Sequence, residues 1–140
     1  MDIEFTVRHQ IPRPVEEVFD AVADPDRLCS YFTKTASGPL EAGRSVHWTW
    51  HDGDEASLDV REVTAPRRVG FTWKAGDVGY ETRVTISFWR EGDGGTRVEV
   101  RESGWREDER GLKSSYEHCA SWQHMLMCLR ARLLFDIDLR

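Results

Sequence analysis

The stretch Leu112–Ile137, LKSSYEHCASWQHMLMCLRARLLFDI, decides the fold. It holds no proline, and the nearest glycine, Gly111, stands at its entrance. Leu112, Ser115, Cys119, Trp122, Leu126, Leu129, Leu133 and Ile137 recur every three or four residues, so they share one face of an α-helix, with Glu117 and His124 well off it. A helix of about 25 residues is about 37 Å long, enough to span a small domain. An apolar stripe of that length needs a broad apolar partner. The chain upstream supplies one, because it reads as a series of alternating strands. The spacing predicts an α+β fold in which a curved antiparallel β-sheet wraps around one long C-terminal α-helix.

Upstream of the helix, Ile3, Phe5 and Val7 alternate with Glu4, Thr6 and Arg8 as a half-buried strand. Pro12 and Pro14 end it, and Pro14 can open a helix carrying Val15, Val18, Phe19 and Val22 inward. Asp24-Pro25 starts a second short helix, with Asp24 as N-cap and Leu28, Tyr31 and Phe32 on its inner face. Five or six strands follow. They carry Val46/Trp48/Trp50, Leu58/Val60/Glu62, Val69/Phe71/Trp73, Val84/Ile86/Phe88 and Val98/Val100 at period two. Asp52-Gly53-Asp54, Ala65-Pro66 and Gly92-Asp93-Gly94-Gly95 mark the turns, and turns this short imply antiparallel neighbours. The two short helices thus fall between the first and second strands. The chain shows no internal repeat or linker, so residues 1–140 are expected to form a single domain.

Composition narrows the function. A net charge of −6 argues against a nucleic-acid partner, since a phosphate backbone asks for a basic patch. No run of about 18 apolar residues suggests a membrane span, and Met1-Asp2-Ile3-Glu4 lacks a basic-then-apolar signal. Cys29, Cys119 and Cys128 are odd in number and without paired spacing, which points to reduced thiols of a cytoplasmic protein. His47 and His51, four residues apart on a strand, are about 13 Å apart and cannot share one zinc ion. No metal and no cofactor is expected. Glu91–Gly95 is glycine-rich but joins two strands, so it lacks the helix N-terminus of a phosphate loop.

Six Trp and six Phe are a surplus for 140 residues. Large aromatics either fill a core or line an apolar pocket, and both readings stand. In the second, Trp48, Trp50, Leu58, Val60, Phe71, Trp73, Val84 and Ile86 line a cavity whose opposite wall is Tyr116, Cys119, Gln123 and Leu126 of the helix, with Phe32 near its mouth. Glu102 falls on the same sheet face by alternation with Val98 and Val100. Buried there, it needs a partner, with Arg130 a candidate, or it serves as ligand anchor or general acid/base; exposure at the sheet's end is the alternative.

Several ordered motifs resemble one family. Val7–Phe19 (VRHQIPRPVEEVF), Ala23–Leu28 with Tyr31-Phe32, Val63–Trp73 (VTAPRRVGFTW), Gly95–Val100 with Ser103-Gly104-Trp105, and the Trp122/Leu126/Leu129 register are similar to the START-like superfamily, also called SRPBCC or helix-grip proteins. More narrowly, they resemble the branch related to the C-terminal domain of the activator of heat-shock protein 90 ATPase. Ser121 stands where that family usually has Gly, and the Trp50–Ala56 loop lacks its glycine-rich character. The resemblance covers nearly the whole chain. It implies the helix-grip fold and a cavity for apolar molecules, since members bind lipids, hormones or polyketides and a few are cyclases.

Three functions compete. The favoured one is non-enzymatic binding of a hydrophobic or aromatic small molecule between sheet and helix. The second is an interaction module whose partner is a chaperone or regulatory protein. The third is a polyketide cyclase-like enzyme moving protons through Glu102 or Tyr116. The sequence leaves open whether the chain forms a homodimer.

Overall fold

A computed structural model describes residues 2–74 and 76–140. The elements run β1 (Ile3–Ile11), α1 (Val15–Ala23), α2 (Pro25–Leu28), β2 (Thr35–Ala36), β3 (Ser45–Thr49), β4 (Glu55–Thr64), β5 (Arg68–Lys74), β6 (Glu81–Glu91), β7 (Gly95–Trp105) and α3 (Glu109–Phe135). Seven strands form one antiparallel sheet in the order β1-β7-β6-β5-β4-β3-β2. The sheet curves, and α3 packs on its inner face against β1 and β7. This is the α+β helix-grip architecture. No helix among the described residues is long and apolar enough to cross a membrane.

Local chemistry accounts for the breaks. Asp24 caps α2 by accepting a 3.0 Å bond from the Arg27 amide, with Pro25 at the first helical position. α1 lays Phe19 edge-on against Phe88 at 5.3 Å, while the Tyr31 hydroxyl donates to the Ala21 carbonyl at 3.0 Å. The two short helices therefore cover one end of the sheet, as the sequence pattern implies.

Two irregularities bear on the site. Gly104 is an extra residue in β7, since Ile3 pairs with Trp105 but Glu4 pairs with Ser103. Its φ of +104° suits glycine, and the resulting bulge sets the direction of Trp105. The second is the start of α3, which lies three residues before the expected Leu112. Asp108 is the N-cap, accepting 2.7 Å from the Gly111 amide, so Gly111 sits inside the first turn rather than at the boundary.

The buried face of α3 is also rotated from the expected stripe. Ser114, Ser115, Trp122, Met125, Leu126, Cys128 and Leu129 are buried, whereas Leu112 and Ile137 are exposed and Cys119 and Leu133 only half-buried. Apolar residues occur on several sides of this helix, so periodicity alone leaves its phase loose; contacts with the sheet fix it.

Candidate functional site

The site is built around Glu102 near the C-terminal end of β7. Strand alternation points it inward, and it is fully buried. Four donors converge on it. The Trp73 indole Nε1 reaches Oε2 at 3.0 Å and the Thr82 hydroxyl reaches the same oxygen at 2.7 Å. The Trp122 indole Nε1 reaches Oε1 at 2.9 Å, and His118 Nδ1 lies 3.0 Å from both oxygens. A carboxyl group without water is tolerated only when such partners replace its hydration.

The fold brings these groups together by simple rules. Trp73 pairs with Thr82 across β5 and β6, and Val84, two residues on, pairs with Glu102 across β6 and β7. His118 and Trp122 are four apart on α3 and so project from one face. The His118 imidazole stands edge-on to Trp73 at 6.0 Å and to Trp105 at 5.5 Å. Trp105 is itself anchored by a 3.1 Å bond from its indole Nε1 to Ser114 Oγ.

Beside this cluster opens a cleft of about 890 Å³. Phe32, Trp50, Trp73 and Trp122 form its aromatic wall; His118, His51, His124 and Asp77 also line it, and Arg140 borders it. The rings pack closely: Trp73 and Trp122 stack at 5.6 Å, and Phe32 meets Trp50 edge-on at 5.5 Å. Arg140 is held by the Cys29 and Thr33 carbonyls at 3.1 and 3.0 Å.

His118 feels opposing influences. Burial lowers its pKa, but the hydrogen bond and charge of Glu102, with the charges of Asp77 and Glu117, outweigh burial and raise it above the ordinary histidine value.

The structure sorts the residues expected to line a cavity. Phe32, Trp50 and Trp73 line the cleft. Trp48, Leu58, Val60, Phe71, Val84, Ile86 and Leu126 are packed in the core, at 2% exposure or less. The middle of the sheet–helix interface is thus filled, and the open space lies to one side. Tyr116 is 67% exposed and Gln123 is exposed, bonded to His9 Nε2 at 2.8 Å; the rotation of α3 turns both away from the cleft. Cys119 is half-buried against the core and outside the cleft. Glu102 does not pair with Arg130, whose guanidinium instead donates to the Gln10 carbonyl at 3.3 Å.

Sequence reasoning missed His118, Thr82 and Asp77, and placed Trp122 on the apolar stripe without assigning it to the site. Two had a signal: Thr82 continues the inward alternation of Val84 and Ile86, and His118 lies one turn before Trp122. Asp77 comes from the β5–β6 connection and had none.

Comparison with known proteins bears on the family and the fold. Residues 12–133 match the family described as Activator of Hsp90 ATPase homolog 1-like protein. The chain belongs to that family. DynU16, a protein from the dynemicin biosynthetic locus, is 27% identical over the whole chain with a TM-score of 0.88, although this chain covers only 50% of it. SSP2350 from Staphylococcus saprophyticus is 24% identical, with 99% and 96% of the two chains covered and a TM-score of 0.83. The Aha1 dimer from Colwellia psychrerythraea is 18% identical, with 95% and 97% covered and a TM-score of 0.79. The last two likenesses are of fold alone. No curated protein matches the chain.

Proposed function

We propose that the chain binds an apolar or aromatic small molecule in the cleft beside α3. One observation carries this reading. Half-buried Phe32 and Trp50 face the cleft, and the buried rings of Trp73 and Trp122 back it with their indole N–H groups turned away onto Glu102, so the aromatic wall presents no polar edge. Phe32 packs against Trp122 at 6.0 Å and against Trp50 at 5.5 Å, so the four rings form one continuous surface. A volume of about 890 Å³ is in the range of small-molecule sites, which are mostly apolar with a few directing polar groups. His118 is such a group here.

The test is a titration with 1-aminoanthracene, a neutral dye that brightens out of water, followed together with Trp emission. Saturable binding is expected, weakened several-fold by Trp50→Ala and by Phe32→Ala. Binding that does not saturate, or that both variants leave unchanged, sinks the reading.

A second reading, docking onto a chaperone or regulatory protein, is supported by a different feature. Tyr116, Met127, Phe135, Ile137 and Leu139 are exposed apolar residues on the outer side of α3 and the segment after it. It predicts that the chain raises the ATPase rate of the host's ninety-kilodalton heat-shock chaperone and that Tyr116→Ser with Phe135→Ser abolishes the effect. An unchanged ATPase rate removes it.

A further inference from the structure

His118 is held in a specific way. Nδ1 lies 3.0 Å from both oxygens of buried Glu102, and Trp73 and Trp105 flank the ring edge-on at 85° and 87°. The imidazole is therefore fixed in tilt as well as in position. Its other nitrogen, Nε2, has no hydrogen-bond partner among the described residues. The nearest acid, Asp77 Oδ1, is 3.9 Å away, beyond hydrogen-bond length. The side chain keeps 20% exposure and lines the cleft. One nitrogen is thus anchored on a carboxylate while the other is open to a site that can hold a planar molecule.

Chemically this is the arrangement of a base. Glu102 accepts the Nδ1 proton, which leaves the lone pair on Nε2, and it stabilises the imidazolium formed when Nε2 takes a second proton. The charged groups acting on the ring are Glu102 from β7, Asp77 from the β5–β6 connection and Glu117 from α3 itself, and Lys74, His124 and Arg140 line the same cleft. Three carboxylates favour the protonated ring. A purely structural histidine would satisfy Glu102 equally well, so the open Nε2 is the decisive feature.

We propose that His118 is a general base and that the cleft is a proton-transfer site for planar aromatic molecules carrying an acidic C–H beside an electron-withdrawing group. The proposal rests on the ligand-binding function and extends it. Nε2 takes the proton, the C–H electron pair moves into the neighbouring acceptor group, and the imidazolium returns the proton at the acceptor atom. The product is an isomer, so no oxidant, reductant or co-substrate is needed. Glu102 acts through His118 as a positioning residue.

The full chain can be tested with 5-nitrobenzisoxazole, a planar carbon acid. The base removes the C3 proton, the freed pair closes a nitrile, and the N–O bond breaks to leave a coloured phenoxide. The expected result is saturable acceleration, on the order of 100-fold over free imidazole at equal concentration. His118→Gln, whose amide can still donate to Glu102, should return the rate to background, while His47→Gln, outside the cleft, should leave it unchanged. Asp77→Asn should lower the midpoint of the pH–rate profile, a change that a structural role for Asp77 does not produce. It also serves as the deciding variant if His118→Gln melts early. Saturable quenching of Trp emission by the probe without acceleration overturns the base assignment and leaves ligand binding intact. Acceleration that survives in His118→Gln, or an unshifted profile in Asp77→Asn, also overturns it. Absence of saturable quenching overturns the binding reading itself.

Discussion

Trp122 and Glu102 are joined across the sheet–helix interface by a 2.9 Å bond from indole Nε1 to carboxylate Oε1, with both side chains at 2% exposure or less. This contact ties α3 to β7 in a direction that greasy packing alone would not specify. Trp73 makes the equivalent bond from β5. Trp48, by contrast, is fully buried with no partner for its indole nitrogen among the described residues.

That difference gives a matched comparison. Trp122→Phe, Trp73→Phe and Trp48→Phe each remove the same atoms from an aromatic cluster, so their packing losses are similar. Only the first two take a donor from a buried carboxylate, a loss of about 1.5–3 kcal/mol. Unfolding free energies from denaturant titration should therefore fall by that much more for Trp122→Phe and Trp73→Phe than for Trp48→Phe. Equal losses in all three would mean that the bonds to Glu102 add nothing to stability.

Gly111 offers a test in which the usual rule reverses. Replacing a mid-helix glycine by alanine ordinarily stabilises by about 1 kcal/mol. Here an added Cβ would stand 2.1 Å from the Arg106 carbonyl oxygen, a backbone atom with no easy way to yield. Gly111→Ala should instead destabilise by about 1–3 kcal/mol, as overpacking does. Thermal melts read the sign directly, and a raised melting temperature contradicts the geometry.

Gly111 also shows where sequence reading stopped. A glycine before an apolar run looks like a boundary, yet the signal that mattered was Asp108, three residues earlier, whose side chain caps the helix. The strands were legible because alternation is local: Val98, Val100 and Glu102 point inward by parity, and the structure buries all three. The partners of Glu102 were not legible. Trp73, Thr82 and Trp122 lie 29, 20 and 20 residues from it, so only topology brings them together. The phase of α3 was the other gap. With leucines and methionines on several sides, the pattern could not choose between a face carrying Tyr116 and Gln123 and one carrying His118. The hydrogen bonds to Glu102 make that choice.

Arg140 borders the cleft, binds the Cys29 and Thr33 carbonyls and pairs with Asp138 at 2.9 Å, and its side chain is only 23% exposed. Arg140→Ala should cost about 1–3 kcal/mol of stability, because two backbone carbonyls lose a charged donor. It should nonetheless speed the entry of 1-aminoanthracene, because one edge of the cleft loses its cover. Stopped-flow association rates equal to those of the parent chain would show that this edge is not the route in.

The final prediction concerns pH. The folded-state pKa of His118 is raised: burial opposes its charge, but Glu102, Asp77 and Glu117 together prevail. The unfolded chain has the ordinary value of about 6.5. A group whose folded pKa lies above its unfolded one adds stability that is complete below the unfolded pKa and disappears as pH rises through the folded one. His9 works the other way. Burial and the Arg130 charge lower its pKa, against the bond to Gln123, so it penalises the folded state as pH falls. Whole-protein stability mixes the two, and the difference between the parent chain and His118→Gln isolates His118. That difference should be largest and flat below about pH 6.5, then shrink with rising pH until His118 is neutral in both states. Urea midpoints measured from about pH 5.5 to about pH 9 cover the window. A difference that stays constant, or grows toward alkaline pH, would mean that the charged His118–Glu102 pair does not stabilise the fold.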